Sequence, residues 1–176
     1  MLRITIPETE FWDERTETYV TTKATNVQLE HSLVSLSKWE SKWHKPFLSR
    51  DQKTEEETLD YIRCMTVTPN IDPIVYSALT PEISAQINAY IDNKMTATWF
   101  GKKENEKFSK EVITAEIIYY WMIELHVPFE CEKWHLNRLL TLIRVCNEKN
   151  QPGKKMTAKE RSALNKARKG KHKSRG

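Results

Sequence analysis

Seven consecutive residues, Ile117 to Ile123 (IIYYWMI), are apolar or aromatic without a break, the longest such run in the 176-residue chain. A helix that is apolar on every side has no face to offer water, so this run predicts a helix buried on nearly all sides at the centre of the fold. Further on, Leu136, Leu139, Leu140 and Ile143 recur at i, i+3, i+4 and i+7, the pattern of a helix with one packed face. Val127-Pro128 separates the two, because the residue before a proline is pushed out of the α region and proline has no N–H to donate. The expectation for Val112 to Cys146 is therefore an αα-hairpin. None of its residues form a catalytic pattern, which turns the search for function toward partners.

A membrane helix needs about twenty apolar residues, far more than this run. The opening MLRITIPETE has no basic start followed by an apolar stretch, so a soluble, non-secreted protein is expected. Gly101 is the only glycine before Gly153, leaving almost no backbone that could approach a phosphate closely. Cys64, Cys131 and Cys146 have no paired spacing and read as free buried thiols. Charge is more informative than its total of +4 suggests. Residues 154–176 hold ten Lys or Arg against the single acid Glu160, a segment of +9. With those removed from 28 basic and 24 acidic residues, the remaining 153 residues carry 18 and 23, a body of −5. The organisation expected is one globular domain over 1–153, with a β element in 1–30 and helices in 31–150, followed by a basic, partly disordered tail over 154–176.

Along the chain, Leu2, Ile4 and Ile6 alternate with polar residues as a strand does. Thr16 to Thr22 and Asn26 to Glu30 read as two further strands, forming a hairpin that turns at Lys23 to Thr25. From His31 the period becomes helical through Leu33, Leu36, Trp39 and Trp43, until Pro46. Thr54 and Glu57 are spaced as a capping box, and Asp72-Pro73 and Thr80-Pro81 each set a capping residue before a proline at the first helical position. Asn93 to Lys110 reads as an exposed connection, with Trp99 and Phe100 as its apolar exception, either a lid folded onto the core or a binding wedge. Thr157 to Glu160 forms a second capping box, opening a short helix with Ala158, Ala163, Leu164 and Ala167 on one side.

Candidate chemistry is sparse. His126, Cys131 and His135 supply three zinc-type ligands without a fourth, and a buried thiol with two backbone-bonded histidines explains them better. Glu55, Glu56 and Glu57 suit the positive end of a helix dipole more than acid–base work. No metal, cofactor or catalytic residue is assigned. The basic tail is suited either to phosphates or to an acidic protein, and its lack of Trp, Tyr and Phe weighs against base stacking. Trp39, Trp43, Trp121 and Trp134 occupy apolar helical positions and are expected in the core; any left exposed as a patch would mark a protein interface.

At Leu29 to Glu40 (LEHSLVSLSKWE), Tyr61 to Met65 (YIRCM), Met95 to Thr98 (MTAT) and Ile117 to Asn147, the chain resembles tail assembly chaperones of tailed bacteriophages with Gram-positive hosts. The resemblance runs over most of the chain, including the step from Asn150-Gln151-Pro152 into a basic end, and includes no catalytic motif. It implies a non-enzymatic protein of the host cytoplasm, absent from the finished virion, that binds the helical tape-measure protein and helps recruit tail-tube subunits. Many proteins of that family are made in two lengths by a ribosomal frameshift near the end of the shorter frame, and a run of adenines encoding Lys154-Lys155 would suit such a site. The family supplies no position-by-position contact set, so the partner-binding residues expected here come from chemistry. They are Trp99 and Phe100 as an apolar contact, and Lys154, Lys155, Lys159, Arg161, Lys166, Arg168, Lys169 and Lys171 as an electrostatic one. The class expected is mainly α with a small N-terminal β-hairpin or sheet; the competing reading is a phage DNA-binding protein that grips phosphates with its tail.

Overall fold

The computed structural model describes residues 1–13, 17–100 and 112–150. Expectations that fall on the basic tail, including the helix after Thr157, lie outside them. Two units are distinguished, Met1–Ile143 and Arg144–Gly176. Four strands precede five α-helices: β1 (Leu2–Ile6), β2 (Thr9–Asp13), β3 (Thr18–Thr22), β4 (Thr25–Leu29), α1 (Leu33–Trp43), α2 (Glu55–Met65), α3 (Pro81–Ile91), α4 (Ala115–Glu124) and α5 (Leu136–Asn150). Short 3-10 turns cover Pro73–Ala78 and Phe129–Lys133. The architecture is mainly α with a small N-terminal β element.

The strands do not pair as the sequence suggested. β3 runs on into β4 through Lys23 and Ala24 rather than turning back on it; β1 pairs with β4 and β2 with β3, both antiparallel. The register is the same on both sides of the interruption, from Leu2↔Leu29 to Ile6↔Thr25 and on from Thr9↔Thr22 to Asp13↔Thr18. The reversal therefore lies between Asp13 and Thr18. Pro7 falls at the interruption, where no ladder needs its missing N–H. Strand β2 escapes a reading by alternation because its acids leave too few apolar residues. In the proximal half, Ile4, Ile6, Val27 and Leu29 are buried on one face. The outer edge of β4 is closed by residues 65–68: Glu30 N–H donates to the Met65 carbonyl at 2.8 Å and Val67 N–H to the Gln28 carbonyl at 2.8 Å.

Side chains fix the helix ends. Ser32 caps α1 in a reciprocal box with Ser35, and Thr54 does the same for α2 with Glu57, as that spacing predicts. Asp72 and Thr80 cap the 3-10 turn and α3. Between α1 and α2, the Trp39 indole donates to the Glu57 carbonyl at 2.8 Å and the Trp43 indole to Asp60 at 2.9 Å, while Lys42 and Lys45 pair with Asp60 and Glu57. The Lys45 hydrogen bond, seconded by the Thr54 amide, holds the Glu57 carboxyl below its usual range. Burial pushes Asp60 the other way, but hydrogen bonds from Lys42 and Trp43 outweigh it and the net shift is downward. This half of the core joins the proximal ribbon to α1, α2, the first 3-10 turn and α3 through Trp39, Tyr61, Met65, Tyr76 and Ile87.

Helix α4 is not the buried centre that its composition suggested. Only Ala115, Ile118 and Met122 are buried, one stripe of the helix, and its most extensive helical neighbour is α1 rather than α5. The expected αα-hairpin is broken by its own connection: His126 takes a left-handed φ of 54°, Pro128 follows, and a 3-10 turn separates the helices. The first turns of α5 dock elsewhere. Leu136 N–H donates to the His31 carbonyl at 2.7 Å, and the Asn137 amide donates to the carbonyls of Ile91 and Asn93 at 2.9 Å each, capping the end of α3. Arg144 to Asn150, the rest of α5, belongs to the second unit.

Candidate interaction surfaces

The largest departure from the sequence expectation is also the most informative surface. Only one stripe of α4 is fully buried; Ile117, Tyr119 and Trp121 are half-buried, while Tyr120 is 59% exposed, Ile123 60%, and Phe129 in the following turn 54%. Tyr119 links them, because it lies one turn before Ile123, its ring is 6.5 Å from that of Phe129, and its hydroxyl donates to Glu132 at 2.9 Å. Burial and that carboxylate push the Tyr119 hydroxyl up to about 12, so it remains a donor. Glu116 lies one turn before Tyr120, Glu124 follows Ile123, and Glu130 and Glu132 share with Phe129 the 3-10 turn that ends at Lys133, the one Lys or Arg in residues 112–133. An exposed apolar cluster with a polar rim is the surface signature of a binding site. The sequence held its signal, four glutamates and no Lys or Arg over residues 112–132, but the uniform apolarity of the run pointed inward.

A second exposed feature is the distal half of the ribbon. Trp12 and Tyr19 face each other across β2 and β3 with ring centroids 5.1 Å apart, and are 50% and 70% exposed. On the opposite face Phe11 and Val20 are half-buried. The predicted contact Trp99 is 80% exposed, so it is not folded onto the core as a lid, whereas its neighbour Phe100 is half-buried. Lys154, Lys155, Lys159, Arg161, Lys166, Arg168, Lys169 and Lys171 lie outside the described residues. Of the tryptophans expected in the core only Trp39 is fully buried; Trp43, Trp121 and Trp134 are half-buried, Trp134 beneath the Arg138 guanidinium at 4.2 Å.

The titratable clusters are committed to structure. His31 and His135 lie edge to face at 5.1 Å. His31 Nδ1 is 2.5 Å from the Tyr61 hydroxyl; His135 Nε2–H donates to the Tyr90 carbonyl at 3.0 Å while its Nδ1 accepts from Asn137 N–H at 3.3 Å. Burial and then the neighbouring His135 bring His31 down to about 4, and burial likewise lowers His135. Both imidazoles are neutral at pH 7. Cys131 is buried and His126 exposed, and no group of three metal-ligating side chains converges among the described residues. An open cleft of 630 Å³ lies between the end of α1 and the start of α4, lined by Glu40, His44, Lys45, Thr114 and Glu116. Its central carboxylate is occupied: Glu40 accepts from the Phe47 amide and from the Ala115 amide, each at 2.7 Å. Lys45 is held by Glu57.

Compared with known proteins, the chain matches no family model, no curated protein and no solved structure. Among the described residues no helix is long and apolar enough to cross a membrane.

Proposed function

We propose that the protein is a non-enzymatic tail assembly chaperone of a tailed bacteriophage, which binds the tape-measure protein in the host cytoplasm, assists tail-tube assembly and is left out of the mature virion. The observation that carries this reading is the uncovered α4 surface of Tyr120, Ile123 and Phe129 on an otherwise well-capped domain. A helical client with an apolar stripe needs such a surface to cover it, and large exposed aromatics provide most of the energy of such contacts. The sequence resemblance to tail assembly chaperones supports the same role. In the interior His31 and His135, and in the cleft Glu40 and Lys45, have structural partners, which favours a binding role over catalysis. The +9 segment supports a second reading, a DNA-binding protein held by phosphate contacts.

Salt separates the two. Co-expression pull-down of the full chain with the tape-measure protein of the same phage, at about 0.15 M and 0.5 M salt with duplex DNA as parallel bait, is the test. Capture of the tape-measure protein that survives the higher salt is the expected result. Capture of DNA alone, lost at the higher salt, would overturn the chaperone reading.

A further inference from the structure

The chemistry of the exposed patch says more about its occupant than the chaperone reading, on which this inference rests, requires. We propose that the α4 face seats a basic amphipathic helix of a partner protein, with Tyr120, Ile123 and Phe129 taking its apolar stripe and Glu116, Glu124 and Glu130 meeting lysines or arginines along its flanks.

Three observations select that occupant. The patch is apolar at its centre, so a purely ionic ligand would leave these side chains in water. Its rim is acidic, since Glu116, Glu124, Glu130 and Glu132 outnumber Lys133 at the end of the same 3-10 turn, so the local charge favours a basic segment over phosphates, nucleic acid or anionic lipid. The backbone beneath belongs to a helix and a 3-10 turn whose N–H and C=O groups are bonded internally, so no ladder is on offer to an added strand. Recognition must pass through side chains at helical spacing, Glu116, Tyr120 and Ile123 at i, i+4 and i+7, the spacing of a ridge that fits beside another helix. The Tyr119–Glu132 hydrogen bond ties the turn that carries Phe129 to α4, so the two parts of the surface hold their relative position before the partner arrives.

The test uses the full chain and a fluorescein-labelled 18-residue peptide of leucine and lysine in an amphipathic helical pattern, followed by anisotropy, with two controls: the same composition scrambled, and the same pattern with glutamate for lysine. The wild-type chain should bind the Leu/Lys helix and neither control. Ile123→Ser, at an exposed position that leaves folding intact by circular dichroism, should weaken binding at least tenfold. The double change Glu116→Lys with Glu124→Lys should weaken it similarly and transfer binding to the Leu/Glu helix. Equal affinity of all variants for the Leu/Lys helix, no binding of it by the wild-type chain, or a wild-type dimer by sedimentation that Ile123→Ser dissolves would each overturn the proposal, the last by assigning the face to a second copy. Tape-measure capture by the same variants separates this inference from the reading beneath it. Capture retained by Ile123→Ser and by the double variant sinks the α4 seat and leaves the chaperone role standing; peptide binding by a chain that captures no tape-measure protein does the reverse.

Discussion

Glu40 holds the start of α4 from 75 residues upstream, and removing its charge should release that helix. Thr114 occupies the N-cap position of α4, yet its side chain makes no capping hydrogen bond. The first amide of the helix, Ala115 N–H, is one that an N-cap side chain does not serve; it donates to one oxygen of the buried Glu40 carboxylate at 2.7 Å, and the other oxygen takes the Phe47 amide at 2.7 Å. A carboxylate can accept both bonds, whereas a glutamine side chain accepts through one oxygen and turns an NH2 toward the other amide. Hydrogen bonds to a charged group contribute about 1.5–3 kcal/mol each, and a partly buried charge at a helix terminus up to about 2 kcal/mol. These terms overlap, so Glu40→Gln should cost about 2–3 kcal/mol and Glu40→Ala, which strands both amides, about 3–5 kcal/mol. For a chain of this length, the glutamine variant should melt roughly 5–10 °C lower. Thr114→Ala should change stability by less than about 0.5 kcal/mol, because nothing is bonded there to lose. Urea unfolding of the three variants measures this, with hydrogen exchange at residues 115–118 reporting the helix start directly. A Glu40→Gln variant as stable as wild type, with unchanged exchange at the Ala115 amide, would refute the long-range cap.

Other consequences follow from burial and charge. His31 has a folded pKa of about 4, and that of His135 is also lowered, both below the unfolded value of 6.5, so the unfolded chain binds more protons than the native one between those limits. Stability should therefore be fully present above about pH 6.5 and fall as the pH drops toward 4, by at most about 3 kcal/mol from His31; urea midpoints at pH 7, 5.5 and 4.5 will show it, and His31→Gln should flatten the slope. On α4, Met122→Ala should cost about 2–5 kcal/mol while Tyr120→Ser costs less than about 0.5 kcal/mol; similar losses at both positions would mean that the helix is covered on its outer side too. Because Cys64 and Cys146 are half-buried and Cys131 fully buried, two thiols should react with a disulfide reagent under native conditions and the third only on unfolding. Burial raises the thiols of Cys64 and Cys131, so the reaction of Cys64 should be slow at neutral pH and quicken as the pH rises.

What the sequence made legible were features whose cause and effect lie a few residues apart. The Thr54–Glu57 box, the Asp72 and Thr80 caps before prolines, the alternation of Leu2, Ile4 and Ile6 and the one-sided pattern of α5 appear as expected, with Leu136, Leu139 and Ile143 buried and Leu140 half-buried at the edge of that face, because each depends on local geometry. Pairing was illegible. Strand β3 has a short, turn-like Lys23-Ala24 after it and a plausible partner beyond, but its ladder is with Thr9–Asp13, which shows little alternation. Glu40 reads as a polar residue on a helix face, and nothing near it announces an amide 75 residues away. The Cys64 and Cys146 thiols are half-buried rather than buried, since apolar spacing places a residue on a face without saying how completely a neighbour covers it. The same limit hid the candidate site: the sequence singled out Trp99, which is exposed, and passed over Tyr120, Ile123 and Phe129, because seven apolar residues in a row are compatible with a covered helix or with one whose cover comes from another chain.

That ambiguity has a physical cost. Isoleucine, tyrosine and tryptophan are poor helix formers and good strand formers, so IIYYWMI is helical against its own preference and carries the composition of an aggregation-prone strand. Glu116 and Glu124 stand at its two ends, where charges discourage edge-to-edge association. What keeps it helical is tertiary: the Ala115, Ile118, Met122 stripe against α1, and the Glu40 carboxylate at its first amide. Loosening the cap should therefore do more than lower stability. It should expose a strand-forming segment, so Glu40→Gln is expected to scatter light on warming before its far-ultraviolet signal is lost, and Ile123→Ser in the same chain should suppress the scattering without restoring the melting temperature. A double variant that aggregates as readily as Glu40→Gln alone would place the sticky segment elsewhere and break the link between the long-range cap and the exposed face.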